Sequence, residues 1–210
     1  MIEVLIADDH TIVRKGLIQI LADTPDVSVK EEAGSAREVI KKIKAKSFDL
    51  VLLDISLPGR SGLDVLKQLK CLRPGLPVLV LSMHPEEQYA IRSIRAGASG
   101  YLTKDSAPEE LLKAIRKIAR GGKYITASLA EKLAAELEGE RRELPHEILS
   151  DREYQVMCMI AAGRTVKEIA DVLSLSVKTI STHRARILLK MGLKNNAQLT
   201  HYAIKHNLVD

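Results

Sequence analysis

Phe48-Asp49-Leu50-Val51-Leu52-Leu53-Asp54, running on into Ile55-Ser56-Leu57-Pro58-Gly59-Arg60-Ser61-Gly62, is the stretch on which the fold of this chain turns. Consecutive aliphatic residues with no polar position between them suit a strand covered on both faces, and such strands belong to parallel sheets. The strand stops at a carboxylate, and the chain leaves through Pro58 and Gly59. A carboxylate at that place gains nothing from packing, so chemistry is the better reason for Asp54.

Working outward, Val4–Ala7, Ser28–Ala33, Val78–Leu81 and Gly100–Leu102 read as four more strands. Helical segments lie between them. The first carries Ile12, Leu17, Ile20 and Leu21 on one face; the second opens with Ser35 and Glu38 as a capping box and carries Val39, Ile40 and Ile43; the others span about Leu63–Leu72, Glu86–Ala96 and Pro108–Arg120. Strict alternation predicts an α/β domain of (βα)5 type, a parallel sheet with helices on both faces, over residues 1–124. Thr126–Leu137 reads as a further helix, and Glu138–Pro145, charged and without apolar period, as a flexible linker, so 125–146 joins two domains.

From 147 to 210 the pattern is purely helical. Ser150 with Glu153 and Thr165 with Glu168 form two capping boxes, Ser176 caps a segment Val177–Met191 ended by Gly192, and Ala197–His206 closes the series. A short helix, a tight turn and a longer polar-faced helix make a helix-turn-helix within an all-α four-helix domain.

Bulk properties narrow the function. With 210 residues, 46% of them hydrophobic, the chain can bury two small cores. Aromatic residues make up 3% and Trp is absent, which disfavours proteins that stack single-stranded bases. The N-terminus meets Asp8 and Asp9 at once and no apolar run approaches the length of a membrane span, so no membrane association and a cytoplasmic location are expected. Cys71 and Cys158 stand far apart, outside any metal-binding spacing, and read as reduced, mostly packed thiols. The net charge of +5 divides unevenly: residues 1–124 hold 20 basic and 16 acidic residues, 125–146 hold 3 and 5, and 147–210 hold 9 and 6.

Asp8 and Asp9 follow strand one, Asp54 ends strand three, Ser82 ends strand four and Lys104 follows strand five. In an open parallel sheet these ends share one crevice. Crowded carboxylates call for a hard divalent cation, Mg2+ above all, and a carboxylate nucleophile with a metal and a lysine suits phosphoryl transfer. One of Asp8 and Asp9 could instead cap the following helix, which leaves the pair unexplained.

In these residues the chain resembles the receiver domain of two-component response regulators, a flavodoxin-like fold. The resemblance implies that Asp54 is the phosphoacceptor, that Asp9, Asp54 and the Ser56 backbone carbonyl hold Mg2+ with Asp8 assisting through water, and that Ser82, Tyr101 and Lys104 sense or stabilise the phosphoryl group. Two positions depart from the usual pattern: Ser82 stands where Thr is commoner, and Asp105 follows Lys104 where many receivers have proline.

On Val177–Met191 the residues Ile180, Ile187, Leu188 and Met191 form an apolar face, while Lys178, Thr179, Ser181, Thr182, His183, Arg184 and Arg186 occupy the other. Acidic residues are absent from Leu173 to Met191, which favours a duplex-facing helix over an ordinary solvated one. Leu149–Glu153, Glu168–Ala170, Ser176–Thr179, His183 and Lys190–Leu193 resemble the LuxR-type helix-turn-helix, and with the receiver the chain is similar to response regulators of the NarL/FixJ group. That resemblance implies backbone contacts from Lys178, Thr179, His183 and Arg186, and base-facing positions at Ser181, Thr182 and Ala185. It further implies a sensor histidine kinase, promoter DNA and RNA polymerase as partners, and a phosphorylation-dependent homodimer through Ala197, Leu199, Thr200 and Ile204.

Two other readings fit some of the residues. A phosphatase or phosphotransfer enzyme could use Asp54 as nucleophile, but would need a general acid where Ser56 stands. A DNA-binding protein could also use a receiver-like domain as a dimeriser that needs no phosphate.

Overall fold

The alternation of apolar runs and amphipathic segments becomes, in the computed structural model, two compact units, Met1–Ala130 and Glu131–Asp210. The structure describes residues 1–58, 61–137 and 144–209. Gly59 and Arg60, the expected linker residues 138–143 and the side chain of Glu136 lie outside what is described.

The first unit comprises β1 (Ile2–Ala7), α1 (Thr11–Ala22), β2 (Val27–Ala33), α2 (Ala36–Ala45), β3 (Leu50–Asp54), α3 (Gly62–Leu72), β4 (Val78–Ser82), α4 (Glu86–Arg95), β5 (Gly100–Thr103) and α5 (Pro108–Ala119). The strands pair in parallel in the order β2-β1-β3-β4-β5. All five residues of β3 and all five of β4 are buried, as strands with helices on both faces must be. The order reverses direction between β1 and β3, so a crevice opens beyond their C-terminal ends. Ala7 pairs with Leu53, which sets Asp8 and Asp54 side by side at the mouth of that crevice.

Three local expectations change. Ile12 is 87% exposed rather than part of the inward face of α1. It stands nine residues from the fully buried Leu21, about two and a half helical turns, and so points the opposite way. Ser35 caps α2 by accepting from Glu38 N, but the Glu38 carboxylate accepts from Gly34 N, so the box is not closed on Ser35. Cys71 is exposed, while Cys158 is buried.

α6 (Ala127–Leu137) crosses the division between the units. The second unit continues with α7 (Asp151–Ala161), α8 (Val166–Leu173), α9 (Val177–Met191) and α10 (Asn196–Lys205). Both expected capping boxes, Ser150/Glu153 and Thr165/Glu168, are complete. Tyr154, Met157, Ile169, Ile180, Ile187 and Leu199 meet in its core. Glu153 ties α7 to α9, accepting from Ser150 N at 2.9 Å and from Lys190 Nζ at 2.6 Å.

Candidate phosphoacceptor site and nucleic-acid interface

At the sheet edge, backbone geometry positions each acidic group. Asp54 is 1% exposed. Its Oδ1 accepts from Ser56 N at 2.9 Å, an Asx-type turn that bends the chain away, and its Oδ2 accepts from Lys104 Nζ at 2.7 Å. Asp8, equally buried, uses Oδ1 to accept His10 N at 2.8 Å and meets the same Lys104 ammonium through Oδ2 at 2.6 Å. His10, not an aspartate, occupies the N-cap of α1, and its side chain makes no capping bond. Asp9 is half-exposed and lies 2.9 Å from His10 Nδ1.

One lysine thus bridges two buried carboxylates with a third beside them. Burial pushes the Asp54 carboxyl above its ordinary value against the pull of Lys104 and the Ser56 N–H. Burial alone would lower the Lys104 ammonium, but Asp54 and Asp8 outweigh it and hold it high. Asp8 Oδ2 and Asp9 Oδ1 are sealed from water with no directed hydrogen bond beyond these ionic contacts. Ligand atoms of Asp8, Asp9, His10 and Asp54 all lie within 4.8 Å of one another. Hard oxygens in excess of positive charge, two of them short of donors, form a set that could hold a divalent metal ion. The contribution of the Ser56 carbonyl is an inference from resemblance; Ser56 is tied to Asp54 through its N–H.

Ser82 and Tyr101 meet on one residue. Ser82 Oγ, fully buried, accepts from His84 N at 3.0 Å, and the Tyr101 hydroxyl donates to His84 O at 2.7 Å. Tyr101 is already turned inward, 2% exposed. His84 carried no signal in the sequence, because its link to both residues is through backbone atoms. Gly62 is needed for a different reason: a Cβ there would stand 2.3 Å from Ile55 Cα and 2.5 Å from Asp54 O.

On α9, the helix that follows the left-handed turn at Ser174, the buried side chains are Ile180, Ile187 and Met191. Lys178, Ser181, Thr182, Ala185 and Arg186 are exposed. Thr179 is occupied at the helix start, bonded to the Ser176 hydroxyl at 2.8 Å. Arg184 Nε donates to Asn196 Oδ1 at 2.6 Å, so this guanidinium is engaged with the start of α10. His183 is half-buried, and burial, followed by the Arg152 charge, holds its imidazole below its ordinary value. Of the α10 residues expected at a dimer contact, Ala197 and Ile204 are exposed and Thr200 is half-buried. Leu199 is fully buried in the core of its own domain and is unavailable to a partner.

A doubly wound sheet with a lysine-bridged acidic edge, joined to a basic helix-turn-helix, is the organisation of a two-component response regulator. Residues 4–116 match the response regulator receiver domain, and residues 147–203 match the bacterial regulatory proteins of the luxR family. Response regulator UvrY of Escherichia coli (strain K12) is 37% identical over 209 residues, 99% of this chain and 96% of that protein. Response regulator GacA of Pseudomonas aeruginosa is 36% identical over 211 residues, 100% and 99% of the two chains. RcsB from Salmonella enterica serovar Typhimurium, solved bound to the promoter rprA in the presence of phosphomimetic BeF3-, shares 29% identity at a TM-score of 0.66, covering 96% of this chain and 98% of that one. The chain belongs to the response regulators of the NarL/FixJ group, with a receiver domain and a LuxR-type DNA-binding domain. It is therefore a DNA-binding transcription regulator rather than an enzyme, and a receiver implies a sensor kinase as partner. Among the described residues no helix is long and apolar enough to cross a membrane.

Proposed function

We propose that this regulator accepts a phosphoryl group on Asp54 from a sensor histidine kinase and then binds promoter DNA as a dimer. The observation that carries the reading is the shared ammonium of Lys104 between Asp54 and Asp8. In the transfer, the bond from phosphorus to the kinase histidine nitrogen breaks as one forms to an Asp54 carboxylate oxygen. Asp9, Asp54 and the Ser56 carbonyl, with Asp8 through water, are the groups that would hold Mg2+, which supplies positive charge against the phosphoryl oxygens when bound. Lys104 keeps a second positive charge at the same edge. Ser82 then donates its hydroxyl proton to a phosphoryl oxygen, and Tyr101 reports that change to the surface around α4 and β5.

The receiver occupies 1–124, the joining segment 125–146 and the DNA-binding domain 147–210. Lys178, His183 and Arg186 meet phosphates, Ser181, Thr182 and Ala185 face bases, and Ala197, Thr200 and Ile204 form the contact between two copies that read paired half-sites. RNA polymerase is the downstream partner, and the protein works in the cytoplasm. The test is phosphorylation by a small-molecule phosphodonor with Mg2+, read by intact mass. The wild type gains one phosphoryl group and Asp54→Asn gains none; equal gain by both would overturn the assignment.

A further inference from the structure

Leu189 is 82% exposed, the most exposed of the large apolar residues described in the second unit. A single surface leucine ordinarily needs no reason. Its direction supplies one. Leu189 stands nine residues after the fully buried Ile180, about two and a half turns, and so points directly away from the domain core. Thr182 and Ala185, both exposed, precede it by seven and four residues and lie within roughly 40° of it around the helix axis. Leu189 therefore continues the stripe assigned to the bases, about 10 Å beyond Thr182, or about three base-pair steps.

The geometry points to Leu189 as a specificity-determining residue that recognises the 5-methyl group of thymine in the major groove. This rests on the DNA-binding reading of α9. Charge selects the occupant: Lys178 and Arg186 flank the stripe and α9 contains no acidic residue, so a polyanion fits the face and an acid-seeking or neutral protein surface does not. Alanine and leucine offer no hydrogen bond, and the thymine methyl is the apolar feature the major groove presents. The pattern predicts half-sites that begin with contacts to small side chains and end in a thymine read by Leu189.

The experiment is selection from a randomised duplex pool by the full chain, phosphorylated with a small-molecule donor and Mg2+, as wild type and as Leu189→Ala. The wild type enriches thymine at one or two positions at one end of each half-site; the variant loses that enrichment while keeping the rest of the site, its mass and its melting midpoint. Replacing those thymines by deoxyuridine weakens the wild type about fourfold per site, the worth of one buried methyl, and leaves the variant unchanged. Equal weakening of both proteins, no effect of deoxyuridine on the wild type, or a variant altered in oligomeric state with an unaltered site would each overturn the inference. A wild type that retains no duplex would instead refute the DNA-binding reading itself.

Discussion

Lys104→Met removes the ammonium while keeping a side chain of similar length. The Lys104 side chain is 6% exposed and lies 2.7 Å from Asp54 Oδ2 and 2.6 Å from Asp8 Oδ2, whose side chains are 0% and 3% exposed. Without it, two buried carboxylates face each other with no cation between them. Breaking a buried pair by deleting one partner costs about 3–5 kcal/mol. Spread over the unfolding entropy of the Met1–Ala130 unit, this lowers its midpoint by roughly 10–20 °C. Mg2+ should reverse part of the loss. In the wild type Lys104 competes for the oxygens that would hold the ion; in the variant those oxygens are free of it. A ligand at a hundredfold its Kd stabilises by about 2.7 kcal/mol, and the variant, binding more tightly, gains more than the wild type at equal Mg2+. Calorimetry of both proteins over a Mg2+ series reads this directly. A midpoint within about 3 °C of the wild type without Mg2+, or a gap that fails to narrow as Mg2+ rises, would refute the assignment of Lys104 as counter-ion to the acidic edge.

Two further perturbations test the two units separately. In Gly62→Ala the new Cβ meets backbone atoms of Ile55 and Asp54, so the β3–α3 turn must shift; a loss of about 2–4 kcal/mol and slower phosphorylation of Asp54 are expected, measured by melting and by intact mass over time. In the second unit, burial alone would raise the Glu153 carboxyl from 4.5, but Lys190 and the Ser150 donors outweigh it and hold it lower. A depressed carboxyl contributes stability above its unfolded value that disappears as pH falls through the folded value. Glu153→Gln should therefore cost about 1–2 kcal/mol at pH 7, discounted because Lys190 is 40% exposed and can turn to water, and nothing well below pH 4. Urea unfolding at both pH values checks the sign.

How much of this was legible in the sequence depended on whether side chains or backbone carried the information. β3 was readable because a parallel strand covered on both faces has no polar position to blur it. The convergence of Asp8 and Asp54 followed from topology, since the neighbouring strands β1 and β3 end at one crevice, while Lys104 follows the edge strand β5 and reaches that crevice with its long side chain. Ile12 was placed on the wrong face by counting apolar residues instead of turns, and Leu199 came to the dimer contact only through the resemblance of its helix to the family's dimerisation helix. Leu199 shares its face with the buried Ala203 four residues on, while the exposed Ala197 and Ile204 lie seven apart on the other. Arg184 looked like any other cation on α9, because its partner Asn196 belongs to the next helix and only the packing of α9 on α10 brings them together. Leu189 passed unnoticed as one aliphatic residue among several near the end of α9.

The role of His84 was illegible for a stricter reason, and it bears on what can drive the switch. Ser82 accepts its N–H and Tyr101 donates to its carbonyl, so one peptide is held by both residues proposed to sense the phosphoryl group. Each such bond contributes about 1 kcal/mol net, and two arrangements of the peptide can then differ by only a few kcal/mol. Moving such a pair from 1:99 to 99:1 takes about 5.5 kcal/mol of preference for one arrangement. A cation held by Asp9, Asp54 and the Ser56 carbonyl would touch neither Ser82 nor Tyr101, and a ligand that binds both arrangements alike shifts nothing however tightly it binds. A phosphoryl oxygen on Asp54 differs, because the Ser82 hydroxyl accepts His84 N through a lone pair and keeps its proton to donate, and that bond forms only in the arrangement that brings Ser82 to the phosphoryl group. On the proposed mechanism, the covalent bond at Asp54, and not occupancy of the acidic edge, is the event that biases the β4–α4 turn.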